Sequence, residues 1–239
     1  MAHSPFIPPL TITTPSHTLI LSEATPAEIP SFCTICYDAY ATDPMLHATY
    51  GTASPAAIIA SNIKRWELDW PRPGRHVYKA VDAATGEIVA VAKWVFPHTP
   101  TPPPAALAKV GFPEGVNMAL LGAFFARSLE KRERWMEWED MYRASLFTFE
   151  MNLLAVLPAY QRLGIGQAML ASVLKLADEE GRRVFVEATP EGARLYRKFG
   201  WVECDERLRF YLAEFKVGEG MLETTLFLMR EPGAGRPGM

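Results

Sequence analysis

The chain has 239 residues, of which 49% are hydrophobic and 21% charged, with a formal charge of −3. That is the balance of a globular protein of one large domain, or one domain with an insertion. The charge gives no electrostatic footprint for nucleic acid, and no apolar run approaches the roughly 18 residues of a membrane span, so neither nucleic acid nor a membrane is an expected partner.

Residues 1–17 are rich in proline and threonine and are expected to be an extended N-terminal segment. Phe6 to Leu10 is apolar but broken by Pro8 and Pro9, with no basic region before it, so no targeting segment is expected. Thr18 to Glu23 reads as a first strand. Thr25 then suits a helix N-cap and Pro26 the first helical position, opening a helix through about Tyr40. Within it, Cys33-Thr-Ile-Cys36 has metal or redox spacing. No second cysteine or histidine pair completes a zinc site, so buried free thiols are expected, with no metal and a reducing, cytoplasmic setting.

A second helix near Ser54 to Trp66 carries Ile58, Ile59, Ile63 and Trp66 at helical spacing. His76 to Val81 and Glu87 to Phe96 read as paired strands joined by Ala83-Ala-Thr-Gly86. Pro97 to Pro104 is a stiff spacer, and Val116 to about Ser145 reads as a long helical stretch with Phe124, Phe125, Trp135, Trp138 and Tyr142. Phe147 to Leu157 is nearly continuously apolar, as in a strand buried on both faces.

That strand runs into Gln161-Arg-Leu-Gly164-Ile-Gly166 and then a helix over about Ile165 to Glu180, with Ile165, Met169, Val173 and Leu176 on one stripe. Glycines at 164 and 166 let backbone approach a ligand closely, and the unpaired amides and positive end of the helix favour an anion. A P-loop would need Gly-Lys-Ser/Thr, but Gln167-Ala168 follows Gly166. A dinucleotide fingerprint would need a third glycine where Met169 stands. Arg183 to Ala188 reads as the next strand, Pro190 to Phe199 as a short helix ended by Gly200, and Trp201 to Val202 and Glu223 to Met229 as closing strands. Residues 231–239 form a glycine- and proline-rich tail expected to be mobile.

The hexad Gln161-x-x-Gly164-x-Gly166, with Ala193-Arg-Leu195-Tyr196 downstream, resembles the Q/R-x-x-G-x-G/A motif and, with one residue fewer between alanine and leucine, the N-x-x-A-x-x-L-Y motif of the GNAT superfamily of N-acetyltransferases, fungal members among them. The resemblance is strong over about Phe147 to Trp201. It implies an α/β fold, a mixed and mostly antiparallel central sheet flanked by helices. The domain would span 18–230, with a helical insertion over about 97–146 that serves as a lid or wall near the acceptor, or as a packing or dimer contact.

The resemblance also implies acetyl-CoA as acyl donor. The amides of Arg162, Leu163, Gly164, Ile165, Gly166 and Gln167 would hold its pyrophosphate, with side-chain contacts from Gln161 or Arg162. The segment Leu154, Ala155, Val156 would face the pantetheine arm, and the Leu154 N–H would stabilise the oxyanion. Tyr196 stands where many members carry the acid that protonates the thiolate; the alternative is a core tyrosine. Glu150 lies where histone-type members carry a glutamate base; the alternative is an edge residue that pairs structurally. A base is needed because a lysine-like amine is only about 0.04% neutral at pH 7, an uphill step of roughly 4.6 kcal/mol. His76 and His98 are rival bases, and Glu187 a rival site for an acceptor cation. Pro190 replaces the family's asparagine and removes one contact to the cofactor region.

The implied function is acetyl transfer to a primary amine, of a small molecule by preference, by direct attack in a ternary complex, from a monomer or homodimer. A protein or peptide N-acetyltransferase and a non-catalytic acyl-CoA sensor are the alternatives.

Overall fold

The computed structural model describes residues 9–99, 102, 104–135 and 154–235, and the backbone of 141–144. The strands β1 (Leu10–Thr13) and β2 (Thr18–Glu23) form a hairpin. A 3-10 turn over Pro26–Glu28 follows, in which the Glu28 carboxylate accepts from the Thr25 amide at 2.8 Å. Helices α1 (Ile29–Ala39), α2 (Pro44–Tyr50) and α3 (Pro55–Asp69) come next. Then follow β3 (Arg75–Asp82), β4 (Ile88–Val95), α4 (Ala105–Ala108), α5 (Met118–Trp135), β5 (Met141–Ala144) and β6 (Leu154–Val156). The chain closes with α6 (Ile165–Glu179), β7 (Arg183–Ala188), α7 (Ala193–Lys198), β8 (Val202–Glu203), β9 (Leu208–Tyr211), β10 (Met221–Thr224) and β11 (Leu226–Arg230).

Among the described residues nine strands form one sheet in the order β1-β2-β3-β4-β5-β7-β11-β8, with β6 also on β4. Only β5 and β7 run parallel. The strand that shapes the site is β4, because its outer edge is shared. Val95 near its end pairs with Arg143 of β5, whereas Ala90 to Ala92 pair with Val156 to Leu154 of β6. β5 leads on to β7, but among the described residues β6 has no further strand beside it. The sheet therefore parts between β6 and β7, and the far edge of β6 opens on a cleft.

One face packs on α6 and α7: Ile165, Met169, Val173 and Ala177 meet Val184, Val186 and Ala188 of β7. On the other face, α1 and α3 cover β3, β4 and β6 through Phe32, Cys33, Cys36 and Trp66 against Val77, Val91 and Ala155. Met45 of α2 and Leu120 and Phe124 of α5 meet Phe185, Phe227 and Met229 there. Buried Asp69 fastens α3 to the sheet: its carboxylate accepts from Arg75 Nε at 3.0 Å and from Lys93 of β4. Cys33 and Cys36 are free thiols, 1% and 0% exposed. No helix among the described residues is long and apolar enough to cross a membrane.

Several boundaries differ from the sequence reading. The long helix expected to reach Ser145 is described as far as Trp135, and Met141–Ala144 is a strand because it pairs with β7 across four residues. The segment expected to be one strand over Glu223 to Met229 is two, broken at Thr225 with φ +28°. Part of the N-terminal segment expected to be merely extended is β1. Of the strand expected over Phe147 to Leu157, Leu154–Val156 is seen, and 147–153 lie outside the described residues.

Candidate active site

The glycine turn is built as an anion cradle. Arg162 and Gly164 both take left-handed backbone, at φ +67° and +82°, and α6 begins immediately after. Alternation of left- and right-handed residues aims successive N–H groups into one concavity. Among the described residues the amides of Arg162, Leu163, Gly164, Ile165, Gly166 and Gln167 donate no hydrogen bond within the protein. Gly166 is needed for room: a Cβ there would stand 3.2 Å from Leu195 Cδ2 and 3.5 Å from Leu154 Cδ2. The Gln161 side chain turns back, its Nε2 donating to the Val156 carbonyl at 3.1 Å.

The second wall is the free edge of β6. Leu157 donates to the Val89 carbonyl at 2.9 Å, which makes 157/89 a hydrogen-bonded pair of the antiparallel ladder. By alternation Ala155 directs its amide and carbonyl to β4, and Leu154 and Val156 direct theirs away from it, into the cleft. Their carbonyls are occupied, Leu154's by the Tyr40 hydroxyl at 2.9 Å and Val156's by Gln161. Their N–H groups have no partner among the described residues.

The third wall comes from α7. Thr189 shapes its entry: Oγ1 accepts from Gly192 N at 3.0 Å and the carbonyl from Ala193 N at 3.0 Å. Tyr196 packs edge-on against Trp201 at 5.4 Å, is 6% exposed, and its hydroxyl has no hydrogen-bond partner among the described residues. Burial raises its pKa, so the phenol keeps its proton.

These walls enclose a cleft of about 260 Å³ lined by Leu154, Ala155, Val156, Gln161, Gly166 and Tyr196 among others. The turn between α1 and α2, with Tyr40 and Asp43, and the entry of α7, with Thr189 and Glu191, complete its lining. The sequence reading did not single out Tyr40 and Asp43. Their role depends on contacts more than a hundred residues away in the chain, such as Tyr40 to Leu154, and no local motif signals that.

The rival candidates lie elsewhere. His76 stacks on Phe96 at 4.1 Å and burial lowers its pKa; His98 Nδ1 lies 2.8 Å from the Phe96 carbonyl; neither lines the cleft. Glu187 is not open to an acceptor cation. It is 0% exposed and bound by Arg132 of α5, Nε to Oε1 at 2.6 Å and Nη2 to Oε2 at 3.0 Å. Glu150, the expected base, lies outside the described residues. A second, largely apolar cavity between α2, α3 and α5 is only about 40 Å³.

A divided sheet with an anion cradle, a free strand edge and a buried phenol around one cleft defines a class, the acyl-transfer enzymes of the GNAT fold. The sequence profile of the acetyltransferase (GNAT) domain matches residues 143–212, which include the cradle and Tyr196. Over that segment the chain matches the GNAT acetyltransferases, and it is an acyltransferase. Solved structures agree in fold. One is described as histone acetyltransferase HPA2 and related acetyltransferase from Corynebacterium glutamicum (19% identity, TM-score 0.57, covering 92% of this chain and 98% of that one). Another is a mosquito arylalkylamine N-acetyltransferase like 5b (18% identity, TM-score 0.57, 89% and 99%). A third is the C-terminal condensation domain of Ebony with beta-alanyl-dopamine (12% identity, TM-score 0.58, 90% and 99%). No curated protein matched by sequence.

Proposed function

We propose that the protein transfers an acetyl group from acetyl-CoA to a primary amine of a small molecule, by direct attack while both substrates are bound. The observation that carries this reading is one cleft lined by Gln161 and Gly166 of the glycine turn, by Leu154 and Val156 of β6 and by Tyr196, in which the two β6 N–H groups and the phenol hydroxyl have no partner among the described residues.

Acetyl-CoA supplies an activated thioester at the end of a long anionic carrier, and the residues suit each part of it. The amides from Arg162 to Gln167 take the pyrophosphate, with the positive end of α6 behind them. The Val156 N–H pairs with the pantetheine arm as one strand edge pairs with another. The Leu154 N–H receives the negative charge that develops on the carbonyl oxygen, where a fixed dipole in a dry cleft acts most strongly. Tyr196 gives its proton to the departing sulfur. Glu150 is the proposed base for the amine, an assignment resting on its position before the cradle motif. The direct route follows from the absence of a nucleophilic cysteine in the cradle or on β6.

Calorimetric titration with acetyl-CoA tests the reading. Saturable binding at one site per chain is expected, with the same affinity in Tyr196→Phe, because the phenol acts on the leaving group only. Absence of binding would remove the proposal.

A further inference from the structure

The two ends of the cleft differ in charge. At the cradle end the walls present amide N–H groups and the start of α6. At the far end they present Tyr40, Asp43, Glu191 and Tyr196, and among the described residues no lysine, arginine or histidine lines the cleft. We propose that this far end holds the ammonium group of the acceptor through Asp43, and that it selects amines without an α-carboxylate over α-amino acids. The inference rests on the acetyltransferase reading and deepens it by naming the acceptor class.

Asp43 is the positioned member of the two carboxylates. It caps α2, its Oδ1 accepting from the Leu46 amide at 2.9 Å, and it is half-buried, whereas Glu191 stands exposed at the rim. Burial is the main cause of a raised pKa at Asp43, and the charge of Glu191 adds to it. A cation in the cleft relieves both effects. Independently, the Tyr196 hydroxyl, on a residue 6% exposed, opens on the same cleft without a partner. The hydroxyl is thus available to a polar ligand in the cleft. Tyr40 separates Asp43 from the thioester strand, its hydroxyl held on the Leu154 carbonyl. An amine at Asp43 therefore lies at the end of the cleft where Leu154 and Tyr196 act. An acceptor whose amine adjoins a carboxylate would bring a third negative charge to this end with no cation to meet it, and selection by repulsion follows.

Matched pairs test this: agmatine and arginine, tryptamine and tryptophan, isobutylamine and valine, each with the methyl ester of the amino acid. Binding to CoA-saturated protein and acetylation with acetyl-CoA are both measured. Amines should bind at least about tenfold more tightly than their amino acids, a difference of roughly 1.4 kcal/mol. The esters, which keep the bulk but lose the charge, should fall near the amines. In Asp43→Asn the ratio should shrink to about threefold or less with CoA affinity unchanged, and because asparagine caps helices as well as aspartate, α2 stays in place. Amino acids bound as well as their amines, an unchanged ratio in Asp43→Asn, or no binding by any of the amines would overturn the inference. Failure to bind CoA would remove the acetyltransferase reading as well, and it shows before any amine is added.

Discussion

Tyr196 is the proposed acid of the transfer. Its ring packs on Trp201, its hydroxyl has no hydrogen-bond partner among the described residues, and burial of the side chain holds its pKa above the ordinary phenol range near 10. The sign of that shift matters: below its pKa the phenol carries the proton it must give. We expect no loss of rate through deprotonation of this residue between pH 7 and about 10. Tyr196→Phe should lower kcat by about 10²-fold or more and leave acetyl-CoA affinity unchanged; a change of less than about threefold would mean a core tyrosine. Burial acts similarly on the thiols of α1, and Cys36 is pushed from 9.0 to about 12. A raised pKa contributes stability that is complete below the unfolded value and is lost as pH rises through the folded one. The urea midpoint should therefore decline from about pH 9 upward, and less steeply in the Cys33→Ala, Cys36→Ala double variant. A midpoint that stays level from pH 8 to about 11 would contradict this. Tyr196 and the cradle could be read in the sequence because their chemistry is local, a fixed spacing around glycines. Tyr40 and Asp43 could not, since they join the site only through the fold.

Two elements carry separable predictions. In the cradle, Gly164 holds φ +82°, where a Cβ costs about 1–2 kcal/mol. Gly164→Ala should lower stability by about that amount and weaken acetyl-CoA binding by turning the Gly164 and Ile165 amides off the anion. An unchanged dissociation constant would show that these amides do not hold the ligand. Helix α5 is tied to β7 in its second half, where Arg132 and Glu187 form a buried bidentate pair. Removing one partner leaves a buried charge alone, so Arg132→Met should cost about 3–5 kcal/mol, while Arg132→Met with Glu187→Leu should recover most of it. Urea unfolding of the two variants and the parent decides this, and an Arg132→Met variant as stable as the parent would mean that α5 is loosely held. The sequence marked this region as added and helical, yet it missed β5. No glycine or proline stands between Trp135 and Ser145, and a strand at Met141–Ala144 is imposed by pairing with β7 and not by local preference. The same holds for Glu187. Beside it, alternation along β7 says only that it faces opposite to Val186, and Arg132, 55 residues away, decides that it is a structural anion.

For the whole molecule the decisive feature is the division of the sheet at β4, which leaves β6 with an unpaired edge facing α7. Glycines, strand edge and phenol are separate in sequence, and the parted sheet brings them around one cleft. The measurement that tests acetyl transfer most directly is mass spectrometry of an amine panel incubated with acetyl-CoA and either the wild type or Tyr196→Phe. The account predicts an amine that gains one acetyl group with release of one CoA, at a rate about 10²-fold or more lower in the variant. Equal rates in the two proteins, or bound acetyl-CoA with no acetylated product across polyamines, arylalkylamines, aminoglycosides and peptide amines, would contradict it.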